Sequence, residues 1–370
     1  TWDNNLKKLV LYSGTEDFGT INEDVQTGTS NVDFLFNVYK FGVNRAGDDY
    51  LNARITAARL FRGAALSKEQ INNLYLNNTL ASLPTLNRQY SSSIGGSTDA
   101  EIGTSISLNR HSTASIDGTF VAIGAPGGEY AEVYEYSGGD WGIKGSQITG
   151  NTGKYGYSVS LNNDGTRFAV GIPIYTNTHS NEGKVIVYKY ESDSWSSTYN
   201  INYNVTSAQI GNSVSLNSDG YIVAFGGNNI VKIYNVDTAS SEGEVGSITP
   251  TGTGLQKVSL NYDASSTGSP REVKSGIVAI TNGTSTEVHE FVSEDNWDQV
   301  GSTISFSGND VSINGDGTIV AITNDTETQV YKYSGGSWSQ LGSTISLAGN
   351  SINIHFKEGF LNIEYDINIS

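Results

Sequence analysis

One phrase returns along the chain and limits what it can fold into. SVSLNNDGTRFAVGIP (158–173) comes back as SVSLNSDGYIVAFGG (213–227) and as DVSINGDGTIVAIT (310–323). The turn glycine of the phrase marks six copies: Gly118, Gly165, Gly220, Gly276, Gly317 and Gly359. They stand 47, 55, 56, 41 and 42 residues apart, a period that fits one four-stranded sheet per copy better than a helical repeat.

The internal order of each copy supports this. A short alternating strand comes first: SVSL (158–161), SVSL (213–216), KVSL (257–260), DVSI (310–313) and SINI (351–354). A turn with Asp-Gly follows in most copies, where glycine supplies positive φ and the acid bonds its own backbone. The second strand is almost wholly apolar, as in TRFAVG (166–171), YIVAFG (221–226) and TIVAIT (318–323), so it is expected to be buried on both faces. The third alternates, as in EVYEY (132–136) and QVYKY (329–333), which predicts one wet and one packed face. A fourth strand begins at Trp141, Trp195, Trp297 and Trp338. A single sheet of this kind cannot bury both faces, whereas a ring of them can.

The expected fold is therefore all-β: a six-bladed β-propeller over 101–370, or a seven-bladed one if the chain is a piece of a longer protein. The chain begins with Thr1 and contains no Met, so we read it as a processed product or a fragment. EIGTSISLNR (101–110) resembles QLGSTISLAGN (340–350), and is expected to close the ring as the outer strand of the last blade.

Residues 1–80 do not follow the repeat. LKKLVLYSG (6–14) and VDFLFNVYKFG (32–42) predict strands. Ser67 with Gln70 forms a capping-box pattern, and Ile71, Leu74 and Tyr75 share a helical face, so one short helix is expected. This segment is expected to be a partial β-sandwich. The stretch 81–100, rich in Ser and Gly, is the expected linker.

Two resemblances follow from these residues. Over 101–370 the units resemble FG-GAP repeats of integrin heads and of surface proteins from microbes, algae and their large viruses. Tyr155-Gly156 stands in the Phe-Gly place, and Gly124-Ala125-Pro126 and Gly171-Ile172-Pro173 in the Gly-Ala-Pro place. That family often carries a calcium loop of spaced Asp. Here the loop is reduced to Asn-Asn-Asp-Gly (162–165), too few oxygen ligands for calcium, so no metal and no cofactor is expected. ARLFRGAALSKEQINNLY (58–75) resembles the end of a laminin-G-like, concanavalin-like jelly roll, the rest of which would precede Thr1. Such domains often bind glycans or proteins.

Charge and composition narrow the partners. A net charge of −17 repels phosphate backbones and anionic membranes, so nucleic acid is not an expected partner. No apolar run is long enough to span a bilayer as a helix, so no membrane insertion is expected. The absence of Cys excludes disulfides and thiol chemistry. His111, His179, His289 and His355 occupy unlike positions without metal-ligand spacing. Arg110, Arg167 and Arg271 do not recur as the cluster a six-bladed sialidase needs, and SIDGTF (115–120) is one residue short of an Asp-box. No catalytic residue is assigned. The Trp and Tyr series is expected to pack between blades rather than stack on sugars.

Departures from the repeat are the better binding candidates, because loops on a rigid scaffold carry function. They are GGEY (127–130), IPIYTNTHSNEG (172–183) and STGSPREVKS (266–275). The ligand-binding candidates are Tyr130, Tyr175, Asn177, His179, Asn181 and Arg271. Sequons at Asn77, Asn204, Asn282, Asn324 and Asn368 are glycan acceptors only in a glycosylating system. The expectation is a non-enzymatic adhesion or attachment module on a cell or virion surface, binding a glycan or a surface protein. The alternative is a structural decoration or spike component held by contacts with neighbouring copies or other structural proteins. A glycoside-acting enzyme ranks third.

Overall fold

The protein is described here by a computed structural model. It describes residues 2–3, 8–14, 21–27, 94–109, 119–237, 243–261, 264–267, 272–293, 295–346, 349, 351–357 and 360–366. The chain divides into two compact units, Thr1–Gln89 and Tyr90–Ser370. In the first, Trp2–Asp3, Lys8–Gly14 and Ile21–Thr27 pair antiparallel as one three-stranded sheet. The strand expected at 32–42, the helix expected at 67–75 and the linker up to residue 93 lie outside the described residues.

The second unit is a succession of antiparallel meanders. The first sheet is Ser105–Leu108, Phe120–Ala125, Tyr130–Ser137 and Asp140–Ile143, with the short strand Ile148–Thr149 added to its third strand. The second is Ser158–Leu161, Arg167–Ile172, Lys184–Glu191 and Ser194–Asn202. The third is Ser213–Leu216, Ile222–Gly227, Ile230–Asn235 and Gly243–Ile248. The fourth is Lys257–Leu260, Ile277–Thr281, Thr286–Ser293 and Asn296–Gln299. The fifth is Asp310–Ile313, Ile319–Thr323, Thr328–Ser334 and Ser337–Gln340. Ser351–Lys357 and Phe360–Asp366 form a final two-stranded sheet. All-β is thus the observed class. Thr98–Ala100, a single 3-10 turn, is the one helical element among the described residues.

Two expectations are corrected. Residues 105–108 do not form an outer strand of the last sheet. They pair with Phe120–Ala125 as the first strand of the first sheet, because Ser105 and Ser107 stand where Ser158 and Ser160 stand in the next. The third strands do not alternate along their length. In the first four sheets their inner halves (131–133, 185–188, 231–233 and 286–289) are buried on both faces, between neighbouring sheets. Only Thr328–Ser334 alternates. The second strands are buried on both faces, as their sequences imply.

Three repeated devices join one sheet to the next. The first is a serine ladder. Val159 and Leu161 N–H donate to Ser105 and Ser107 Oγ, both at 2.9 Å. Leu216 N–H donates to Ser160, Val258 and Leu260 to Ser213 and Ser215, Ile313 to Ser259, and Ile354 to Ser312. The second is the asparagine that ends each first strand. Its side-chain oxygen accepts from the start of the second strand: Asn109 from Phe120, Asn162 from Arg167, Asn217 from Ile222, Asn261 from Ile277 and Asn314 from Ile319. The amide nitrogens of Asn109, Asn217 and Asn261 donate onward to Asn163, Ala264 and Gly315 carbonyls of the following sheet. The third is a glycine contact. A side chain at Gly124 would collide with the Gly156 carbonyl, one at Gly171 with Gly211, and one at Gly226 with Gln256. Tyr155-Gly156 and Gly124-Ala125 therefore meet across the boundary between the first two sheets.

Between the sheets lie separate apolar cores. Ala122 and Val133 pack with Val159, Phe168 and Val170, and the pattern repeats at each later boundary down to Ile319, Ala321 and Val330 against Ile352 and Ile354. The apolar pair of each first strand is covered by the preceding sheet, so Val159 and Leu161 are 6% and 5% exposed. The first sheet differs: Ile106 and Leu108 are 49% and 38% exposed. The tryptophans belong to the same joints. Trp195, Trp297 and Trp338 Nε1 donate to the carbonyls of Lys144, Val245 and Val300 in the sheet before. Trp195→Phe removes the N–H donor and part of the ring that packs on Phe168 and Tyr190, so it should cost about 2 kcal/mol or more in urea unfolding.

Candidate functional site

In a meander, the connections between second and third strands gather at one end of the sheets, and the turns between first and second strands at the other. The longest connection at the former end is 173–183, in the second sheet. It is held from both sides. Ile174 N–H donates to Gly153 O at 3.2 Å, in the segment entering its own sheet. Ser207 and Gln209 N–H donate to Ser180 and Asn181 O at 2.8 and 3.0 Å, from the segment entering the third sheet.

The loop is built round Glu182, which is fully buried. Its Oε2 accepts from His179 N–H at 3.1 Å and from Thr178 Oγ1–H at 3.3 Å. His179 Nδ1 lies 3.5 Å from the same oxygen and 2.9 Å from Thr178 Oγ1. Thr178 also reaches Asn204 Oδ1 at 3.3 Å. Asn181 sits at φ 49° with its N–H on Thr176 Oγ1. Tyr175 is half-buried, with the Lys184 ammonium 5.1 Å from its ring centre. Asn177 is exposed at the tip.

Tyr130 begins the third strand of the first sheet, at the same end of the fold. Burial, reinforced by Glu132, raises its phenol above the ordinary value. Glu129 beside it, at φ 56°, takes the N–H groups of Lys154 (3.1 Å) and Tyr155 (2.7 Å). The segment 150–155 therefore stands between Glu129 and Tyr175, and brings Tyr130 and loop 173–183 to one face.

Arg271 lies outside the described residues. Its flanking strands, Ser265–Thr267 and Glu272–Ser275, form a hairpin between the first and second strands of the fourth sheet. That connection leaves the sheets at the end opposite to Tyr130 and loop 173–183. A repeat break shows where an insertion occurs but not at which end it emerges; the strand count before it does.

Glu182, Glu129, Thr178 and Asn204 were not among the sequence candidates. Glu129 and Glu182 were legible as the acids that close their 2–3 connections, one before Tyr130 and one before Gly183. Asn282 is 2% exposed; its Nδ2 donates to Gln256 Oε1 and its Oδ1 accepts from Thr284 and Ser285 N–H. It serves a tight turn, so its sequon is closed to a glycan in the folded protein. Asn204 is exposed, while Asn77 and Asn368 lie outside the described residues.

A second buried pair sits in the fourth sheet. Glu287 and His289 are 2% and 8% exposed, with Oε2 and Nε2 3.2 Å apart. Burial alone would raise the Glu287 carboxyl; bonds from His289 and Thr251 outweigh it and hold the group below its ordinary value. Tyr134 on Glu132 (2.7 Å) and Tyr331 on Gln329 (2.6 Å) occupy the equivalent places, so this pair is a variant of a repeated packing contact. Among the described residues no three acids and histidines gather as a metal site, and no helix is long and apolar enough to cross a membrane.

No family model and no curated protein matches the chain. Among solved structures it is similar to a protein from Lactobacillus plantarum, at 15% identity and TM-score 0.45, over 62% of this chain and 69% of that one. It is also similar to a functionally unknown protein from Desulfotomaculum acetoxidans, at 12% identity and TM-score 0.45, over 64% and 70%. Neither likeness carries an argument about function.

Proposed function

We propose that the six consecutive sheets close as a six-bladed β-propeller of the FG-GAP-like kind, and that it serves as a non-enzymatic attachment module. The ligand is a glycan or a surface protein, held at the end bearing the 2–3 connections. The observation that carries the reading is the 173–183 loop. It is the longest of the 2–3 connections, it is braced from both sides, and it carries exposed Asn177 at its tip, with half-buried Tyr175 and His179 on either side, over a buried Glu182 anchor. A braced backbone carrying amide, imidazole and phenol groups suits recognition without chemistry, because little ordering entropy is lost on binding. The setting we infer is the outside of a cell or a virion.

One observation favours a second reading. In an open row of sheets, Ile106 and Leu108 leave an apolar strand face uncovered, which suits a structural component packed against a neighbouring protein.

A glycan array and a panel of surface proteins, probed with the chain and with a variant whose 174–181 tip is replaced by a short Gly-Asn turn, separate the two readings. Attachment predicts selective binding, lost at least tenfold in the variant, which keeps its β circular dichroism but melts lower because Glu182 loses the Thr178 and His179 groups that bond it. Silence on both panels, or binding indifferent to the loop, removes the attachment reading.

A further inference from the structure

All six first strands line one cavity of about 330 Å³, with Ser105, Ser160, Ser215, Lys257, Asp310 and Asn353 on its wall. That volume is at the lower end of small-molecule pockets. Its chemistry follows from the serine ladder. A hydroxyl has one proton to donate and two lone pairs. Ser105, Ser107, Ser160, Ser215, Ser259 and Ser312 each accept an N–H of the following strand. None of the six donates its own proton to a protein acceptor among the described residues. Six O–H donors thus stand on the wall of one cavity.

The repeat breaks at the same wall. Where the first three sheets and the last place Ser105, Ser158, Ser213 and Ser351, the fourth and fifth place Lys257 and Asp310. The Lys257 ammonium spends one donor on Asn212 O at 3.2 Å and lies 5.5 Å from the Tyr157 ring centre. Asp310 Oδ2 accepts from Ser351 Oγ–H at 3.1 Å and Ile352 N–H at 3.0 Å. Lys257 and Asp310 do not pair with one another. Burial raises the Asp310 carboxyl, and Lys257 only partly offsets this.

We propose that this cavity binds a small polyhydroxylated carboxylate of sugar-acid size. Its carboxylate sits on the Lys257 ammonium, its hydroxyl oxygens accept from the serine ladder, and one of its hydroxyl protons goes to Asp310. The site is independent of the 173–183 loop, so the two stand or fall separately.

Calorimetric titration with D-glucuronate and D-galacturonate, with D-glucose as the neutral control, tests this. At least one acid should bind saturably, and at least tenfold more tightly than glucose. Lys257→Met should abolish that preference, Lys257→Arg should keep it, and replacing the 174–181 tip should leave it unchanged. If Lys257→Met fails to fold, Lys257→Gln takes its place. No saturable binding of either acid, equal binding of glucose, or a preference that survives loss of the charge overturns the proposal.

Discussion

Asn217→Ala should lower stability by about 3 kcal/mol or more in urea unfolding, with the midpoint falling and the slope retained. Asn217 is fully buried, and it joins two sheets with one side chain. Its Oδ1 accepts from Ile222 N–H at 2.9 Å, and its Nδ2 donates to Ala264 O at 2.8 Å in the next sheet. Alanine leaves that donor and that acceptor buried without partners, at about 1–3 kcal/mol each, and removes packing as well. Tyr221 N–H is less exposed to the loss, because Asp219 Oδ1 also accepts it at 3.0 Å. Asp219→Ala, which leaves Asn217 in place, is therefore expected to cost about 1 kcal/mol. Equal effects from the two substitutions would show that the turn acid, not the asparagine, holds the joint.

Gly124→Ala should be at least as damaging, although alanine is the smallest change available. The Cβ would enter the space of the Gly156 carbonyl, and Gly156 itself is at φ 85° with the Tyr130 carbonyl against it. Neither obstacle is a side chain that can swing away. The first two sheets must part to admit the methyl, which loosens the core of Ala122, Val133, Val159 and Phe168. Overpacking of this kind costs roughly 3 kcal/mol, equivalent to a melting point lower by roughly 6 °C or more. Gly139→Ala provides the comparison: it is a surface turn glycine with open space around it, at φ 95°. Its loss is confined to backbone strain of about 1 kcal/mol. A Gly124→Ala protein that melts like the parent would refute the close approach.

The strand order was legible because each copy carries its own punctuation. Asp-Gly turns, apolar second strands and a leading tryptophan mark the hairpins without tertiary information. The serine and asparagine of SVSLN were in plain view, yet their role was not. Spacing shows that Ser160 and Asn217 recur, but only the juxtaposition of two first strands shows that they reach across a boundary. The misplacement of 101–110 has the same cause. Its likeness to 340–350 is real as a string, but the pairing of Ser105 with Gly124 is decided by what lies beside it. Among the site candidates, the 172–183 insertion pointed to a loop, while the buried anchor Glu182 gave no signal beyond its place before a glycine. A break in the repeat likewise does not reveal from which end of a sheet the inserted loop emerges.

Ring closure is the claim on which the rest depends, and the amides of Ile106 and Leu108 report on it directly. Their counterparts Val159 and Leu161 donate to the serine hydroxyls of the sheet before. A closed ring brings the last first strand, with Ser351 and Asn353, into that place beside Ile106 and Leu108. Residue-resolved hydrogen exchange should then show these two amides protected to within about tenfold of Val159 and Leu161. Exchange at the rate of an unpaired edge strand, with Val159 and Leu161 still protected, would mean an open row of sheets and would contradict the propeller.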